Sequence, residues 1–139
     1  MELKNYEFNA HGVDMGQFYE STAIVGDGSV KPPPARGPEL YFQPSTVPGD
    51  RLPHVWVGEA WAEAAAKAGA ELAVPLETVV IGPGREVTDI YYDWARIREI
   101  DEDGALLIRP DKHIGWRSMN LPPDPESSLR AALRRLLSR

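Results

Sequence analysis

The side chains best suited to chemistry are dispersed along this sequence. The three histidines, His11, His54 and His113, are far apart, and none has a partner residue nearby at the spacing of a metal site. His54 follows a proline at the start of an apolar run, and His113 follows a turn. Histidines in such places are typical of packed or solvated side chains, so we predict structural roles for all three.

Other short motifs match known functional sites only in part. The acidic stretch Asp101–Gly104 lacks the twelve-residue loop and the closing glutamate of an EF-hand, which indicates a solvated turn. Gly82 and Gly84 form a G-x-G after an apolar run, but Val87 stands where a dinucleotide-binding loop needs its third glycine. No serine lies in a G-x-S-x-G context. The residues by themselves therefore predict no active site, no metal site and no cofactor site.

Composition narrows the class of protein. The 139 residues include 15 Lys+Arg and 21 Asp+Glu, for a net charge of −6, which argues against nucleic-acid binding and against a basic membrane-surface module. There is no cysteine, which excludes disulfides, thiolate metal sites, cysteine nucleophiles and CxxC redox chemistry. No apolar run reaches membrane-spanning length, and the first residues do not form a secretory signal. We expect one structural domain in the cytoplasm.

The first 58 residues differ in character from the rest. Residues 1–30 contain one strand candidate, Tyr19–Val25, which ends at a Gly-Asp-Gly turn signal. Residues 31–58 hold seven of the 13 prolines, a density that excludes a continuous helix or a central strand. The same stretch carries large apolar residues, so we predict an ordered, extended arm with short strands at Tyr41–Phe42 and His54–Val57.

Residues 59–139 have the pattern of an α/β unit. Apolar residues from Trp61 to Leu72 recur at helical spacing, and Leu76–Ile81 reads as the buried strand that follows. Asp89–Trp94 is ambiguous and is compatible with a helical turn. Ile97–Ile100 and Ala105–Arg109 flank the acidic turn as a strand pair.

The last part of the chain predicts a hairpin and a helix. Ala105–Arg109 and His113–Arg117 are joined by a Pro-Asp turn. Arg109, Arg117 and Asp111 are expected to pair with one another or with the acidic turn. A final helix begins after Asp124, which is a suitable N-cap, with proline at its first position. The four tryptophans, Trp56, Trp61, Trp94 and Trp116, are predicted to be core and interface anchors.

Three stretches resemble one known family. Gly37–Trp56 is similar to the P-x-T-x-P-G-x-R-L-P-H-x-W motif of flavin-dependent aromatic-ring hydroxylases, in particular the phenol and chlorophenol hydroxylase group. Asp103–Arg117 resembles the D-G-A-L-L-V-R-P-D-G-H-V-A-W-R motif near the C-terminus of the same family. Phe8–Gly16 with Tyr19–Ser21 resembles the segment that leaves the catalytic body. The order of the three stretches is kept, so the resemblance covers most of the chain.

The resemblance implies a part of such an enzyme. It matches the C-terminal portion, which adopts a thioredoxin-like α/β fold, a small mixed sheet with flanking helices, without redox cysteines. The family's hydroxylation uses FAD and NAD(P)H, but the FAD-binding motifs have no counterpart here. The resemblance therefore implies no catalytic residue and no cofactor in this chain. It implies packing against a flavin-bearing catalytic domain or subunit, or assembly as a homodimer.

Two features depart from the family pattern. Relatives usually carry a further strand-bearing segment between the L-P-H-x-W motif and the helix that starts near Glu59. Either this domain closes its sheet differently or residues are missing at that point. In addition, Lys112 stands where the turn usually has glycine, which costs about 1 kcal/mol if the position requires a positive φ.

Three readings of function follow. The first is a non-catalytic domain that serves packing or dimerisation. The second is a stand-alone module that binds small aromatic molecules in a pocket built from some of Tyr91, Tyr92, Trp94 and Trp116. The third, an independent enzyme, is disfavoured because no nucleophile–base pair can be assembled. The first reading takes as its interface or packing residues Leu40, Tyr41, Phe42, His54, Trp56, Arg109, Asp111, His113 and Trp116.

Overall fold

The structure is a computed structural model that describes residues 16–33, 37, 43, 45–51, 59–81, 85, 87–88 and 93–138. In chain order the elements are helix α1 (Glu59–Leu72), the short helix α2 (Asp93–Ile97), strands β1 (Ala105–Ile108) and β2 (Ile114–Ser118), and helix α3 (Pro125–Leu136). The predicted α/β class is confirmed. Within the described residues the sheet has two antiparallel strands.

The hairpin forms where the sequence predicted it. Leu107 lies opposite Trp116 and Ile108 lies opposite Ile114, so Gly115 is an extra residue in β2 and the register shifts at this bulge. The connection is a tight turn in which the Lys112 N–H donates to the Arg109 carbonyl at 2.9 Å. Lys112 has a φ of 69°, so the turn requires the left-handed conformation that glycine adopts without strain.

Helices α1 and α3 pack on one face of the hairpin. The α1 residues Trp61, Ala64, Ala65 and Ala68 are buried, and the small alanines allow close approach of α3. The predicted start of α3 is confirmed, because the Asp124 carboxylate accepts a hydrogen bond from the Ser127 N–H at 2.9 Å. This core also includes Ala105, Leu129 and Leu133, with Leu72, Leu76, Leu107 and Trp116 partly buried against it.

The opposite face of the hairpin is covered as well. Leu106 and Ile114 are buried together with Ile100, and Trp94 and Ile108 pack against them. Successive side chains of a strand point to opposite faces, so a hairpin covered on both sides reads as a continuous apolar run. The sequence A-L-L-I of β1 has this pattern.

Three predicted strands are absent from the described residues. Tyr19–Val25 contains a turn, because the Ile24 N–H donates to the Ser21 carbonyl at 3.1 Å. Leu76–Ile81 has no ladder partner there and makes one isolated bridge, between Ile81 and Val87. Ile97–Ile100 is not extended, because α2 continues to Ile97 and Glu99 has a φ of 53°. The helical turn considered for Asp89–Trp94 lies slightly later, as α2.

The N-terminal segments attach to the outer edge of β2. The Val25 N–H donates to the Gly115 carbonyl at 2.7 Å. Ile114 exchanges backbone hydrogen bonds with the next segment, because the Gly49 N–H donates to its carbonyl at 2.9 Å and its own N–H donates to the Asp50 carbonyl at 3.0 Å. Residues 16–33 and 45–51 thereby close this edge of the hairpin. None of the described helices is long and apolar enough to cross a membrane.

Candidate functional site

The predicted site residues fall into two groups. Leu40, Tyr41, Phe42, His54 and Trp56 lie outside the described residues, as do the short strands predicted at Tyr41–Phe42 and His54–Val57. The remaining four, Arg109, Asp111, His113 and Trp116, lie on or beside the hairpin.

Arg109, Asp111 and His113 form one hydrogen-bonded turn. The predicted Arg109–Asp111 pair is confirmed, with 2.8 Å between guanidinium and carboxylate, and the Arg109 guanidinium also donates to the Ala23 carbonyl at 3.2 Å. Burial acts to raise the pKa of Asp111. The hydrogen bond from the His113 N–H and the charge of Arg109 outweigh it and hold that pKa below its ordinary value. These groups are engaged in holding the turn.

His113 is buried beneath the N-terminal segment. The residue is 4% exposed. Its ring contacts the Tyr19 ring edge-on, with 4.6 Å between the ring centroids. Its Nδ1 lies 3.1 Å from the Asp111 carbonyl, and its Nε2 is buried without a hydrogen-bond partner. The structural role predicted for His113 agrees with this packing.

Arg117 pairs differently from the prediction. Its partners are Asp27 and Glu99, and not the acidic turn Asp101–Gly104 or its neighbours on the hairpin. Arg117 also donates to the Thr46 hydroxyl at 3.0 Å. Arg117 has these partners because residues 16–33 and 45–51 bond to the outer edge of β2 and so lie close to its side chain.

Thr46 is the centre of this polar cluster, which consists of the buried residues Thr46 and Arg117 and the partly exposed carboxylates of Asp27 and Glu99. The Thr46 side chain is fully buried, and its hydroxyl donates to the Arg98 carbonyl at 2.7 Å. Its N–H donates to the Glu99 carboxylate at 2.8 Å. The sequence carries no signal for the cluster, since its members come from four separate segments. Each of these polar groups has a hydrogen-bond or ionic partner within the chain, which is typical of a cluster that stabilises the fold.

A second buried charge lies beside the cluster. Asp50 is completely buried, and one carboxylate oxygen accepts from the Lys31 ammonium at 2.9 Å and from the Arg51 N–H at 3.1 Å. Its other oxygen, Oδ2, is buried and has no hydrogen-bond partner among the described residues. No group of three or more metal-ligating side chains occurs in the part of the chain that the structure describes.

An apolar cleft of about 710 Å³ lies along β1. One wall is the segment 74–79, and another is the apolar face of α3, including Leu133 and Leu136. All four residues of β1 line it, together with Trp61 and Trp116. Arg109 is the one cation among the described lining residues. Such a cleft excludes water from an apolar occupant but offers few groups that could perform chemistry.

Of the four aromatic residues suggested for a small-molecule pocket, the structure describes Trp94 and Trp116, which lie on opposite faces of the hairpin. Trp116 lies at the cleft and packs edge-on against Trp61, with 5.6 Å between ring centroids. Trp94 packs on the other face of the hairpin, against the cluster around Ile114. Tyr91 and Tyr92 lie outside the described residues. A ligand in the cleft would therefore contact Trp116 but not Trp94.

Comparison with known proteins identifies relatives over most of the chain. The model of the family described as "Aromatic-ring hydroxylase, C-terminal" matches residues 58–139. The chain is 44% identical to the phenol 2-monooxygenase of Pseudomonas sp. (strain EST1001), over 93% of this chain and 25% of that protein. It is also 44% identical to the 2,4-dichlorophenol 6-monooxygenase of Delftia acidovorans, over 96% of this chain and 27% of that protein.

Solved structures agree with this assignment. The flavin-dependent monooxygenase PieE, in complex with FAD and substrate, matches with a TM-score of 0.79 and 35% identity, over 94% of this chain and 26% of PieE. Aklavinone-11 hydroxylase with FAD and aklavinone matches with a TM-score of 0.76 and 28% identity. The chain spans about a quarter of the length of the relatives it matches. It belongs to the family of aromatic-ring hydroxylase C-terminal domains.

Proposed function

We propose that this chain is a non-catalytic association domain, which packs against the flavin-bearing catalytic part of an aromatic-ring hydroxylase or against a second copy of itself. One observation carries the proposal. The described side chains best suited to chemistry are used inside the domain, whereas large apolar side chains of the N-terminal segment are exposed. The relatives' extra length supports it, since they hold about three quarters of their residues outside the matched part.

The proposed contact surface consists of the exposed apolar side chains of the N-terminal segment, Phe18, Tyr19 and Val30, and we call it the N-terminal patch. They are 38%, 49% and 85% exposed, respectively. The Lys31 ammonium lies 5.7 Å from the centre of the Phe18 ring and supplies a charge at the edge of this surface. An apolar patch with a charged rim is typical of a surface that contacts another protein.

FAD and NAD(P)H, in this proposal, bind outside this chain. A flavin dinucleotide needs backbone N–H groups or free cations for its pyrophosphate. Arg109, the cation at the cleft, already bonds to Asp111 and to the Ala23 carbonyl. The described lining of the cleft therefore does not fit FAD. The visible absorption of the purified chain tests this point, and oxidised-flavin bands that persist after gel filtration would contradict it.

The association role is tested by co-purification. The partner is the Pseudomonas phenol 2-monooxygenase expressed without the quarter that matches this chain, and light scattering reports the mass of each complex. We expect the chain to co-elute with that protein or to form a dimer. Combining Phe18→Ser with Val30→Ser should weaken the association about tenfold or more, because apolar contact area is lost.

The matched control replaces two exposed apolar side chains beyond the end of β2. Met119 and Leu121 are 45% and 37% exposed, so Met119→Ser with Leu121→Ser removes a similar amount of apolar surface elsewhere. We expect this control to associate like the wild type. A chain that stays monomeric and also fails to bind the truncated enzyme would refute the association role.

The cleft supports a second candidate, binding of a small aromatic compound. Its volume of about 710 Å³ and the presence of Trp116 in its wall are suited to such a ligand. A rise in melting temperature with phenol or 2,4-dichlorophenol, lost on replacement of Trp116 by leucine, is the expected result for this role. No rise with either compound would eliminate it.

A further inference from the structure

We propose that the cleft along β1 is an acceptor site for one additional β-strand, an extended apolar polypeptide segment that pairs with the edge of β1 that faces away from β2. The proposal does not depend on the association role, because it concerns a different surface. Three independent observations carry it: the hydrogen-bonding state of the edge, the shape and lining of the cleft, and the length of the relatives.

The two edges of the hairpin differ in their hydrogen bonding. The outer edge of β2 is covered, since Gly115 and Ile114 bond to Val25, Gly49 and Asp50. The Arg109 N–H donates to the His113 carbonyl, which places the odd-numbered residues of this strand toward β2. Hydrogen-bonding groups alternate in direction along an antiparallel strand.

By that alternation, the N–H and C=O groups of Leu106 and Ile108 point away from β2. The described residues supply no backbone partner for them. An unpaired edge of this kind is a template for pairing with another strand. A small aromatic ligand in the cleft would leave these groups without partners, whereas a strand would satisfy them.

The cleft has the shape of a strand site. Consecutive residues of β1 point to opposite faces, yet all four line the cleft, so it runs along the edge of the strand and not over one face. The facing wall consists of residues 74–79, which form neither a helix nor a turn. In this proposal one further strand lies between that wall and β1.

The lining specifies the chemistry of the occupant. Leu76, Val79, Leu107, Ile108 and Leu136 supply apolar surface, and the lining residues that the structure describes include one cation, Arg109, and one anion, Glu77. A segment rich in valine, isoleucine and leucine would bury apolar surface on both sides of the new strand.

The relatives contain residues that could supply such a strand. The alignment with the Pseudomonas phenol 2-monooxygenase runs over 154 positions, whereas 93% of the 139 residues of this chain is about 129, so about 25 positions have no counterpart here. The Delftia enzyme shows the same excess, with 158 positions against about 133 residues. Even half of these positions would suffice for one strand of about 5–6 residues and its connections.

The experiment supplies that segment in trans. The probe is a synthetic peptide with the longest run of the Pseudomonas phenol 2-monooxygenase that has no counterpart in this chain, and a scrambled peptide of the same composition is the control. Backbone amide exchange by NMR is the readout. We expect the Leu106 and Ile108 amides to exchange fast in the chain alone and to become protected with the probe, while the Leu107 amide is protected in both states.

A pair of variants at Ile108 isolates the edge hydrogen bond. Ile108→Pro removes the outward N–H without removing a bond to β2, which an edge position tolerates. Ile108→Ala keeps the N–H and shortens the side chain. We expect Ile108→Pro to bind the probe about tenfold more weakly than Ile108→Ala.

Three results would overturn the proposal. They are equal binding of the probe and the scrambled peptide, no binding of the probe, and amides of Leu106 and Ile108 that are already protected in the chain alone. Protection of these amides in the chain alone would mean that another segment of the chain, or a second copy of it, already pairs with this edge of β1. If Ile108→Pro does not fold, amide exchange in the wild-type chain still decides the question. Failure of co-purification would leave this result unaffected, so the two proposals fail separately.

Discussion

Arg117 and Asp27 are 90 positions apart in the sequence, yet the Arg117 Nε–H donates directly to the Asp27 carboxylate. The pair connects the second strand of the hairpin to the N-terminal segment, and Thr46 and Glu99 complete the cluster around the guanidinium. This cluster holds the segments that carry the N-terminal patch onto the α/β unit. The association surface and the fold are therefore stabilised by the same buried polar contacts.

Loss of the Arg117 guanidinium should destabilise the whole domain. In Arg117→Met, Asp27 and Glu99 lose their cation, and the buried Thr46 hydroxyl loses a donor. We expect the free energy of unfolding to fall by about 2–4 kcal/mol, measured by urea denaturation. Arg130→Met is the control, because Arg130 pairs with Glu71 at 2.7 Å on the surface, and its loss should cost clearly less stability than Arg117→Met. Equal losses in the two variants would contradict the buried role of Arg117.

Acid should weaken the same cluster. Burial acts to raise the pKa of Asp27, but hydrogen bonds from Ser29 and Arg117 outweigh it and hold the pKa below its ordinary value of 3.8. A carboxyl with a lowered pKa in the folded state stabilises the fold above its unfolded pKa, and this contribution is lost as the pH falls through the folded value.

The variant Asp27→Asn isolates that contribution. We expect the difference in unfolding free energy between the wild type and Asp27→Asn to be larger at about pH 6 than at about pH 3. Urea denaturation at both pH values gives this difference, which cancels the acid sensitivity of the other carboxylates. A difference that is the same at both pH values, or larger in acid, would show that Asp27 is not held in its ionised form by the cluster.

Replacement of Lys112 by glycine should stabilise the hairpin. The lysine is exposed and has a φ of 69°, a conformation that costs a side-chain-bearing residue about 1 kcal/mol or more relative to glycine. We expect the free energy of unfolding of Lys112→Gly to rise by about 1 kcal/mol. Lys112→Ala keeps the Cβ atom and should leave stability nearly unchanged. Thermal or urea unfolding distinguishes the two, and stabilisation by alanine alone would refute the strain argument.

Gly49 should tolerate no side chain. Its φ is 104°, and a Cβ atom would lie 2.3 Å from the Tyr19 carbonyl oxygen. Since the Gly49 N–H and C=O both bond to neighbouring segments, the backbone has little freedom to move. We expect Gly49→Ala to lower the free energy of unfolding by about 3 kcal/mol. Gly26→Ala, where an added Cβ meets nothing within 4 Å, should change it by less than about 0.5 kcal/mol.

The elements that the sequence predicted correctly depend on local information. The apolar spacing from Trp61 to Leu72 specifies a buried helix face, and Asp124 followed by proline specifies a helix start. The turn between β1 and β2 also lies within a few residues. The Arg109–Asp111 pair was predictable for the same reason, since its members are two positions apart.

The tertiary structure decided what depends on distant partners. Tyr19–Val25 and Leu76–Ile81 have strand-like composition, but a strand exists only when another strand offers its hydrogen-bonding edge, and no short-range pattern encodes that partner. Arg117 contacts Asp27, Thr46 and Glu99 because the fold places these three separate segments next to β2. The sequence by itself thus determined helices, caps and the hairpin, whereas the docked N-terminal segments, the polar cluster around Arg117 and the β1 edge without a partner among the described residues follow from how those elements pack.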